Sequence, residues 1–235
     1  MKKLLVVLAL LLGAQSAQAQ LFSKERLANL ETFDKRFLTW GYFLGFNSYD
    51  FEFDYNQEDL AENTDILVSA DVGFNVGLIG DMRVNNYINL RLEPGLYFTQ
   101  RNLMFPGFTE ERDALREVKS TYIHVPLLVK FSTKRLNNIK PFVVAGLSTS
   151  LNLSSNESNP EDNNEGQFRM TNTTNYYELG FGIDIYLYFF KFTPSIRGVF
   201  ALSDELVPDD DPNSPWTGNI ASMKTRGIFI NFTFQ

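Results

Sequence analysis

The chain contains no cysteine and only one histidine, His124, among its 235 residues. Without cysteine it cannot be a disulfide-stabilised scaffold, and it cannot hold a metal through thiolates. A single histidine excludes metal sites built from several imidazoles and leaves most histidine-dependent catalytic schemes without a base. Basic residues are also scarce, since 21 lysines and arginines stand against 28 acids. The resulting formal charge of −7 argues against a nucleic-acid partner.

Long apolar runs are missing too, apart from Leu4–Leu12, which is too short to span a bilayer as a helix. The basic pair Lys2-Lys3 precedes this run, and Ala17-Gln18-Ala19 follows it with the small residues of a signal-peptidase site. We therefore predict a signal peptide over residues 1–19 and a protein exported by a bacterium. Because no cysteine follows the cleavage site, a lipid-anchored lipoprotein is excluded.

Phenylalanine is abundant, with 22 residues, although the mean hydropathy is only −0.17. From residue 39 onward apolar and polar residues alternate, which is the period of a strand and not of a helix. In the clearest segment Tyr177, Leu179 and Phe181 face one way, while Glu178 and Gly180 face the other. Eight such segments are present, at about 39–51, 65–79, 86–101, 117–132, 139–152, 174–188, 190–202 and 221–235.

Short and long connections alternate between these segments, and the long ones cover 52–64, 102–116, 153–173 and 203–220. An even strand count with this alternation is typical of outer-membrane barrels, although a soluble lipocalin-like barrel shares the pattern. The polar face decides between the two, because it combines glycines with balanced charges, while the opposite face is almost free of charge, as lipid requires. We predict an all-β, eight-stranded antiparallel up-and-down transmembrane β-barrel over residues 39–235, preceded by a short periplasmic N-terminal segment over residues 20–38.

The charges on the polar face are expected to form a structural network in the lumen. The predicted members are Asp71, Arg91, Glu93, Lys130, Glu178, Asp184, Arg197 and Arg226. An eight-stranded barrel has a lumen just wide enough for side chains, so these groups and the inward rings should fill it. The sequence therefore predicts a plugged membrane anchor rather than a pore, in the bacterial outer membrane, with the N-terminus periplasmic and the long loops extracellular.

Two parts of the chain outside the strands are candidates for partner contacts. The loop at 203–220 carries five acids and no base, and its candidate contact residues are Asp209, Asp210, Asp211 and Trp216. Acidic runs are most often solvated, and these aspartates lack the ligand spacing of an EF-hand loop, so we predict no metal site. Residues 21–38 could serve as a tether, a partial plug or a handle for a partner.

Chemistry on a substrate would need a nucleophile with a base beside it, and only His124 offers an imidazole. The neighbouring sequence Ile123-His124-Val125-Pro126 supplies no serine two residues on. We expect His124 to be a hydrogen-bonded lumen residue, and predict no catalytic residues, no cofactor and no small-molecule substrate. A lipid-modifying envelope enzyme stays as a minor alternative.

Residues 40–51 open the barrel with Trp-Gly-Tyr-Phe-Leu-Gly-Phe-Asn, and Tyr122–Phe131 forms the fourth segment. Together with Leu92–Leu96 and the C-terminal Phe-Thr-Phe-Gln, they resemble the PorT/SprT family of Bacteroidota, which serves type IX secretion and gliding motility. The resemblance implies an integral outer-membrane accessory protein that contacts outer-membrane lipid and other secretion-system proteins. The alternative is a stand-alone small barrel for surface adhesion or envelope stability.

Overall fold

The computed structural model describes residues 28–56, 65–106, 108, 110–157, 168–211 and 214–235, so the expected signal peptide lies outside it. A 3-10 turn at Phe33–Lys35 comes first, and a single helical turn, α1 (Glu111–Ala114), precedes the sixth strand. Among the described residues, no helix is long and apolar enough to cross a membrane. The strands are β1 (Leu38–Tyr55), β2 (Leu67–Ala70), β3 (Val72–Arg83), β4 (Ile88–Leu92), β5 (Gly95–Met104), β6 (Leu115–Ser132), β7 (Ile139–Asn152), β8 (Thr173–Tyr186), β9 (Lys191–Ala201) and β10 (Ile220–Phe234).

These ten segments form a ring of eight strands, because two of the eight strands are interrupted and each appears as two segments. β2 and β3 are separated only at Asp71, and β4 and β5 only at Glu93-Pro94, where proline cannot donate a ladder hydrogen bond. β1 pairs with β10 on one side and with β3 on the other, which closes the ring. Every pairing is antiparallel, so the predicted up-and-down eight-stranded barrel is confirmed.

The outward face of the ring is apolar over most of each strand. On β1 the side chains of Trp40, Leu44 and Phe46 are exposed by 69%, 50% and 55%, whereas Phe43 between them is buried. Leu78 on the neighbouring strand β3 is also exposed. So much apolar surface is unfavourable in water but suits contact with acyl chains, and we call this surface the apolar belt.

The connections sort by length to opposite ends of the barrel, as the sequence predicts. The turns at 84–87, 133–138 and 187–190 lie at one end, which we call the short-turn end and which also holds residues 28–37 and the C-terminus. The strand ends that lead into the four long connections lie at the other. There the strand ends and loops form an apolar cluster whose buried members include Phe51, Leu103, Phe105, Phe168, Leu206 and Met223.

Three asparagines bridge the seam where the first and last strands meet. Asn47 of β1 donates to Asn75 of β3 (3.0 Å), and Asn75 donates to Asn231 of β10 (2.6 Å). All three amides are buried. Gly45 leaves the space they occupy, because a β-carbon there would lie 2.2 Å from the Asn231 side-chain oxygen and 2.5 Å from the Ile230 carbonyl. The amide bridge thus depends on a glycine in β1.

We expect Gly45→Ala to destabilise the barrel by about 1–3 kcal/mol, because the added methyl group forces the seam apart. Gly198→Ala on β9 is the control, since its β-carbon would lie no closer than 3.1 Å to the Phe200 ring and 3.8 Å to the Leu179 carbonyl oxygen. Urea unfolding in lipid vesicles measures both variants. Equal effects of the two alanines would contradict the role assigned to the seam.

Candidate functional site

The lumen holds most of the ionisable groups that the sequence places there. Alternation along the strands turns Arg91, Glu93, Lys130, Glu178, Asp184 and Arg197 inward, and none is more than 5% exposed. Acids and bases reach this space from several strands of the ring, so most of these charges meet an opposite charge on another strand. This arrangement lets the charges lie away from water.

Two expected members, Asp71 and Arg226, lie outside the lumen and correct the prediction. Arg226 shares the outward face of β10 with Ile228 and Ile230, is exposed, and pairs with Asp50 of β1 at 2.8 Å. Asp71 is exposed at the break between β2 and β3. Arg226 lies on the long-loop side of the outward residue Ile228, and Asp71 lies on the long-loop side of the outward residue Val72.

A continuous chain of ion pairs crosses the lumen. Arg91 pairs with Asp81 at 2.8 Å and with Glu93 at 3.3 Å. Arg197 from the opposite side of the ring pairs with Glu93 at 2.8 Å and with Glu178 at 2.8 Å. The lumen charge chain, as we call it, consists of Asp81, Arg91, Glu93, Arg197, Glu178, His124 and Ser150.

The last three members have the composition of a catalytic triad. His124 Nε2 lies 2.7 Å from Glu178 Oε1, and His124 Nδ1 lies 2.5 Å from Ser150 Oγ. Ser150 faces His124 across the β6–β7 ladder, a partner that the local sequence around His124 does not reveal. All three side chains are 1% exposed or less, and the rings of Tyr97, Tyr176 and Phe229 surround the imidazole, so a substrate has no access to the serine. The expectation of a hydrogen-bonded lumen histidine agrees with this geometry.

A second buried pair lies nearer the short-turn end. Lys130 Nζ donates to Asp184 Oδ2 at 2.5 Å, and Thr193 donates to the other oxygen of Asp184 at 2.8 Å. The Phe142 ring lies beneath the ammonium group, with its centre 4.1 Å from Lys130 Nζ. Each charge in this pair therefore has an opposite charge, and the cation has an aromatic face as well.

An aromatic layer fills the lumen between the charge chain and the long loops. Its buried members are Phe43, Tyr49, Tyr97, Tyr122, Tyr176, Val199 and Phe229. On the loop side of this layer Arg101 is fully buried and donates to the Tyr122 hydroxyl (2.8 Å) and to Thr225 (3.1 Å). Its guanidinium also stacks on the Phe51 ring, 3.8 Å from the ring centre. Side chains thus fill the lumen from the charge chain to the long-loop end of the barrel.

One loop residue, Glu205, reaches into the long-loop mouth of the barrel. Its two carboxylate oxygens accept hydrogen bonds from the backbone N–H (3.0 Å) and hydroxyl (2.9 Å) of Thr225. Burial raises the pKa of Glu205 above its ordinary value of 4.5, although Arg101 and the bonds to Thr225 oppose this shift. The loop that begins at residue 202 is therefore anchored by a carboxyl group that is poorly solvated.

The four candidate partner-contact residues of the loop at 203–220 differ in their surroundings. The side chain of Asp209 is buried and accepts hydrogen bonds from Ser214 (2.5 Å) and Thr217 (3.0 Å), so it stabilises the shape of its own loop. Trp216 stacks on Phe108 of another loop, with ring centres 5.4 Å apart. Asp210 and Asp211 are exposed. In the described part of the chain, no group of three histidine, aspartate or glutamate side chains is arranged to hold a metal ion.

Residues 28–37 fold across the short-turn mouth of the barrel. Asn29 donates its backbone N–H to the Asn138 side chain at 2.8 Å, and Tyr186 donates its hydroxyl to Asp34 at 2.5 Å. Phe33 is buried against the Tyr186 ring, with centres 6.2 Å apart. Of the three roles left open for residues 21–38, the position of the described part fits a partial plug at the mouth, and residues 21–27 lie outside the described residues.

Several lumen charges were missed by the sequence analysis although alternation could have found them. Asp81 falls in a segment read as a turn, yet it continues the inward face of β3 through Asn75 and Ile79. Arg101 and Lys191 continue the inward faces of β5 and β9 in the same way. Ser150 is inward by alternation too, but its contact with His124 depends on strand register.

Comparison with known proteins finds one family and several barrels of known structure. Residues 14–207 match the family model described as "Outer membrane protein beta-barrel domain". No curated protein matches the chain. The outer membrane protein OprG from Pseudomonas aeruginosa is 14% identical, with a TM-score of 0.46, over 83% of this chain and 94% of that one. Ail, the attachment invasion locus protein of Yersinia pestis, is 14% identical with a TM-score of 0.39 over 83% and 96%, in its complex with the heparin analogue sucrose octasulfate. AlkL, solved in lipid bilayers, is 12% identical with a TM-score of 0.41 over 91% and 92%.

We expect Arg197→Met to destabilise the barrel by about 3–5 kcal/mol, because it leaves Glu93 and Glu178 buried without their shared cation. The control is Arg226→Met, which breaks the exposed pair with Asp50 and should cost less than about 1 kcal/mol. Urea unfolding in lipid vesicles at neutral pH compares them. A loss for Arg197→Met no larger than that for Arg226→Met would contradict the central place given to the lumen charge chain.

A second prediction concerns Glu205 and pH. An acid with a raised pKa binds its proton more tightly in the folded loop, so protonation favours the docked state. Its contribution to stability is complete below pH 4.5 and is lost as the pH rises through the raised pKa. Hydrogen-exchange protection of residues 203–208 should therefore fall on going from pH 4.5 to neutrality in the wild type. It should stay constant in Glu205→Gln, and a fall of the same size in that variant would refute the assignment.

Proposed function

The chain belongs to the outer membrane protein beta-barrel domain family, and on this premise we propose that it is an accessory scaffold of type IX protein secretion and gliding motility. It anchors in the outer membrane through the apolar belt and presents its loops and N-terminal segment to other secretion-system proteins. The observation that carries the scaffold role is the filled lumen, in which paired charges and rings occupy the space that a pore would need. A filled barrel can hold a position in the membrane without conducting.

The surfaces left for partners lie at the two ends of the barrel. Towards the long loops, Asp210 and Asp211 are exposed on a loop that is held by the hydrogen bonds of Asp209 and by the stacking of Trp216 on Phe108 of another loop. A loop held in one shape presents its exposed carboxylates with little loss of conformational entropy on binding. We place this end outside the cell and the short-turn end in the periplasm, following the usual arrangement of outer-membrane barrels.

The assignment to type IX secretion has narrower support. It comes from the resemblance of residues 40–51, Tyr122–Phe131 and Leu92–Leu96 to the PorT/SprT family. These stretches form most of β1, about half of β6 and the join between β4 and β5. They include Glu93, which links the two arginines of the lumen charge chain. The proposed role contains no catalytic step, because Ser150 and His124 are enclosed by the lumen.

Deleting the gene tests the secretion role. We expect cargo proteins of type IX secretion to accumulate in the periplasm, with recovery when the wild-type gene is supplied. A second strain carries Asp210→Asn and Asp211→Asn, which remove exposed charge without touching the lumen, and we expect reduced secretion at normal barrel levels. Quantification of surface and periplasmic cargo measures both effects.

The matched control is Glu117→Gln, an exposed acid on β6 paired with Lys119, which should secrete normally. Normal secretion in the deletion strain would refute the type IX role. The stand-alone barrel for adhesion or envelope stability would then be the better description, and detergent sensitivity or loss of surface attachment would reveal it.

A further inference from the structure

A basic cavity of about 290 Å³ lies at the short-turn end of the barrel. Its walls come from residues 28–37, from the turn between β3 and β4, and from the inner ends of β6 and β9. Seven basic and three acidic side chains line it, which is an excess of four positive charges in a chain whose overall charge is negative. We call this cavity the basic vestibule. It opens to the outside past Arg36, Tyr87 and Lys134, which are exposed.

The three acids of the basic vestibule already have cations of their own. Asp81 pairs with Arg91 at 2.8 Å, and Asp184 pairs with Lys130 at 2.5 Å. Asp34 lies 3.4 Å from Arg135 and 3.6 Å from Lys140. The other four bases that line the vestibule form no direct ion pair with these acids, although Lys191 interacts with Asp81 and Asp184 at longer range.

Lys191 is the most informative of these bases. It is only 4% exposed, and its ammonium group lies 4.9 Å from the centre of the Phe33 ring, which lines the same cavity. Among the described residues, none forms an ion pair with this ammonium group or accepts a hydrogen bond from it. A buried charge without a hydrogen-bonding partner is costly, and a bound anion would remove that cost.

We propose that the basic vestibule binds an oxyanion of phosphate chemistry, held by Lys191 at its base and approached past Lys134 and Arg36 at its rim. A doubly charged phosphate group suits an excess of several positive charges better than a single carboxylate does. Ammonium groups bind phosphate as point charges, and the planar fork of an arginine fits its oxygens as well. Arg83, which also lines the vestibule, already donates to the Asp34 carbonyl at 2.7 Å.

The phosphate could come from a lipid headgroup or from solution, since the cavity lies at one end of a membrane barrel. Calorimetric titration of the full mature protein, folded in a non-ionic detergent and freed of lipid, separates the two sources. Inorganic phosphate is one probe, and glycerol 3-phosphate, which copies a headgroup, is the other. We expect saturable binding with one site per barrel, and tighter binding of glycerol 3-phosphate would assign the site to lipid.

Lys191→Met should weaken binding of the better probe by about tenfold or more, as loss of one buried charged contact predicts. Lys224→Met is the matched control, because Lys224 lies on the outward face of β10 near the long loops and should bind within about twofold of the wild type. If heat-modifiable migration shows that Lys191→Met does not fold, the double variant Arg36→Gln, Lys134→Met replaces it, since both residues are exposed.

Three results would overturn the proposal. They are absence of saturable phosphate binding, equal weakening by Lys224→Met, and binding of an acidic peptide under conditions where neither phosphate probe binds. The outcome is independent of the secretion role, because it is measured on the isolated protein.

Discussion

A charge inside an eight-stranded barrel must find its partner in the lumen, because so narrow a space is filled by side chains and leaves little room for water. The lumen charge chain satisfies this constraint with side chains from most strands of the ring. Arg91 joins Asp81 to Glu93, and Arg197 joins Glu93 to Glu178. Because each arginine pairs with two acids on different strands, the ion pairs also connect opposite sides of the barrel.

The remaining features of the molecule extend from this filled interior. The aromatic layer separates the charge chain from Arg101 and Glu205, so the two groups of charges are packed rather than hydrated. Glu205 brings the loop after β9 into the long-loop mouth, and residues 28–37 partly cover the other mouth. The outward face can therefore be apolar across the apolar belt, because the charged side chains of the strands lie in the lumen or on the loop side of the belt.

Alternation in the sequence predicts the ring and the inward face of each strand, because a residue's side of a strand is a local property with a period of two. It does not predict which inward residues touch. His124 meets Ser150 and Glu178 through the register of β6, β7 and β8, and register is set by contacts distant in sequence. Arg226 was wrongly placed in the lumen because it is charged, although alternation along β10 puts it on the outward face. The stacking of Trp216 on Phe108 joins two loops in a way that no local pattern encodes.

The central claim is that paired charges and packed rings close the lumen while the barrel spans the membrane. The most direct test is the electrical conductance of the purified, folded protein after insertion into a planar lipid bilayer. We expect that insertion, verified by heat-modifiable migration of protein recovered from the membrane, produces no steady current above that of the bare bilayer. Long-lived unitary currents from the wild-type barrel would contradict a closed lumen, because they require a continuous water path through it.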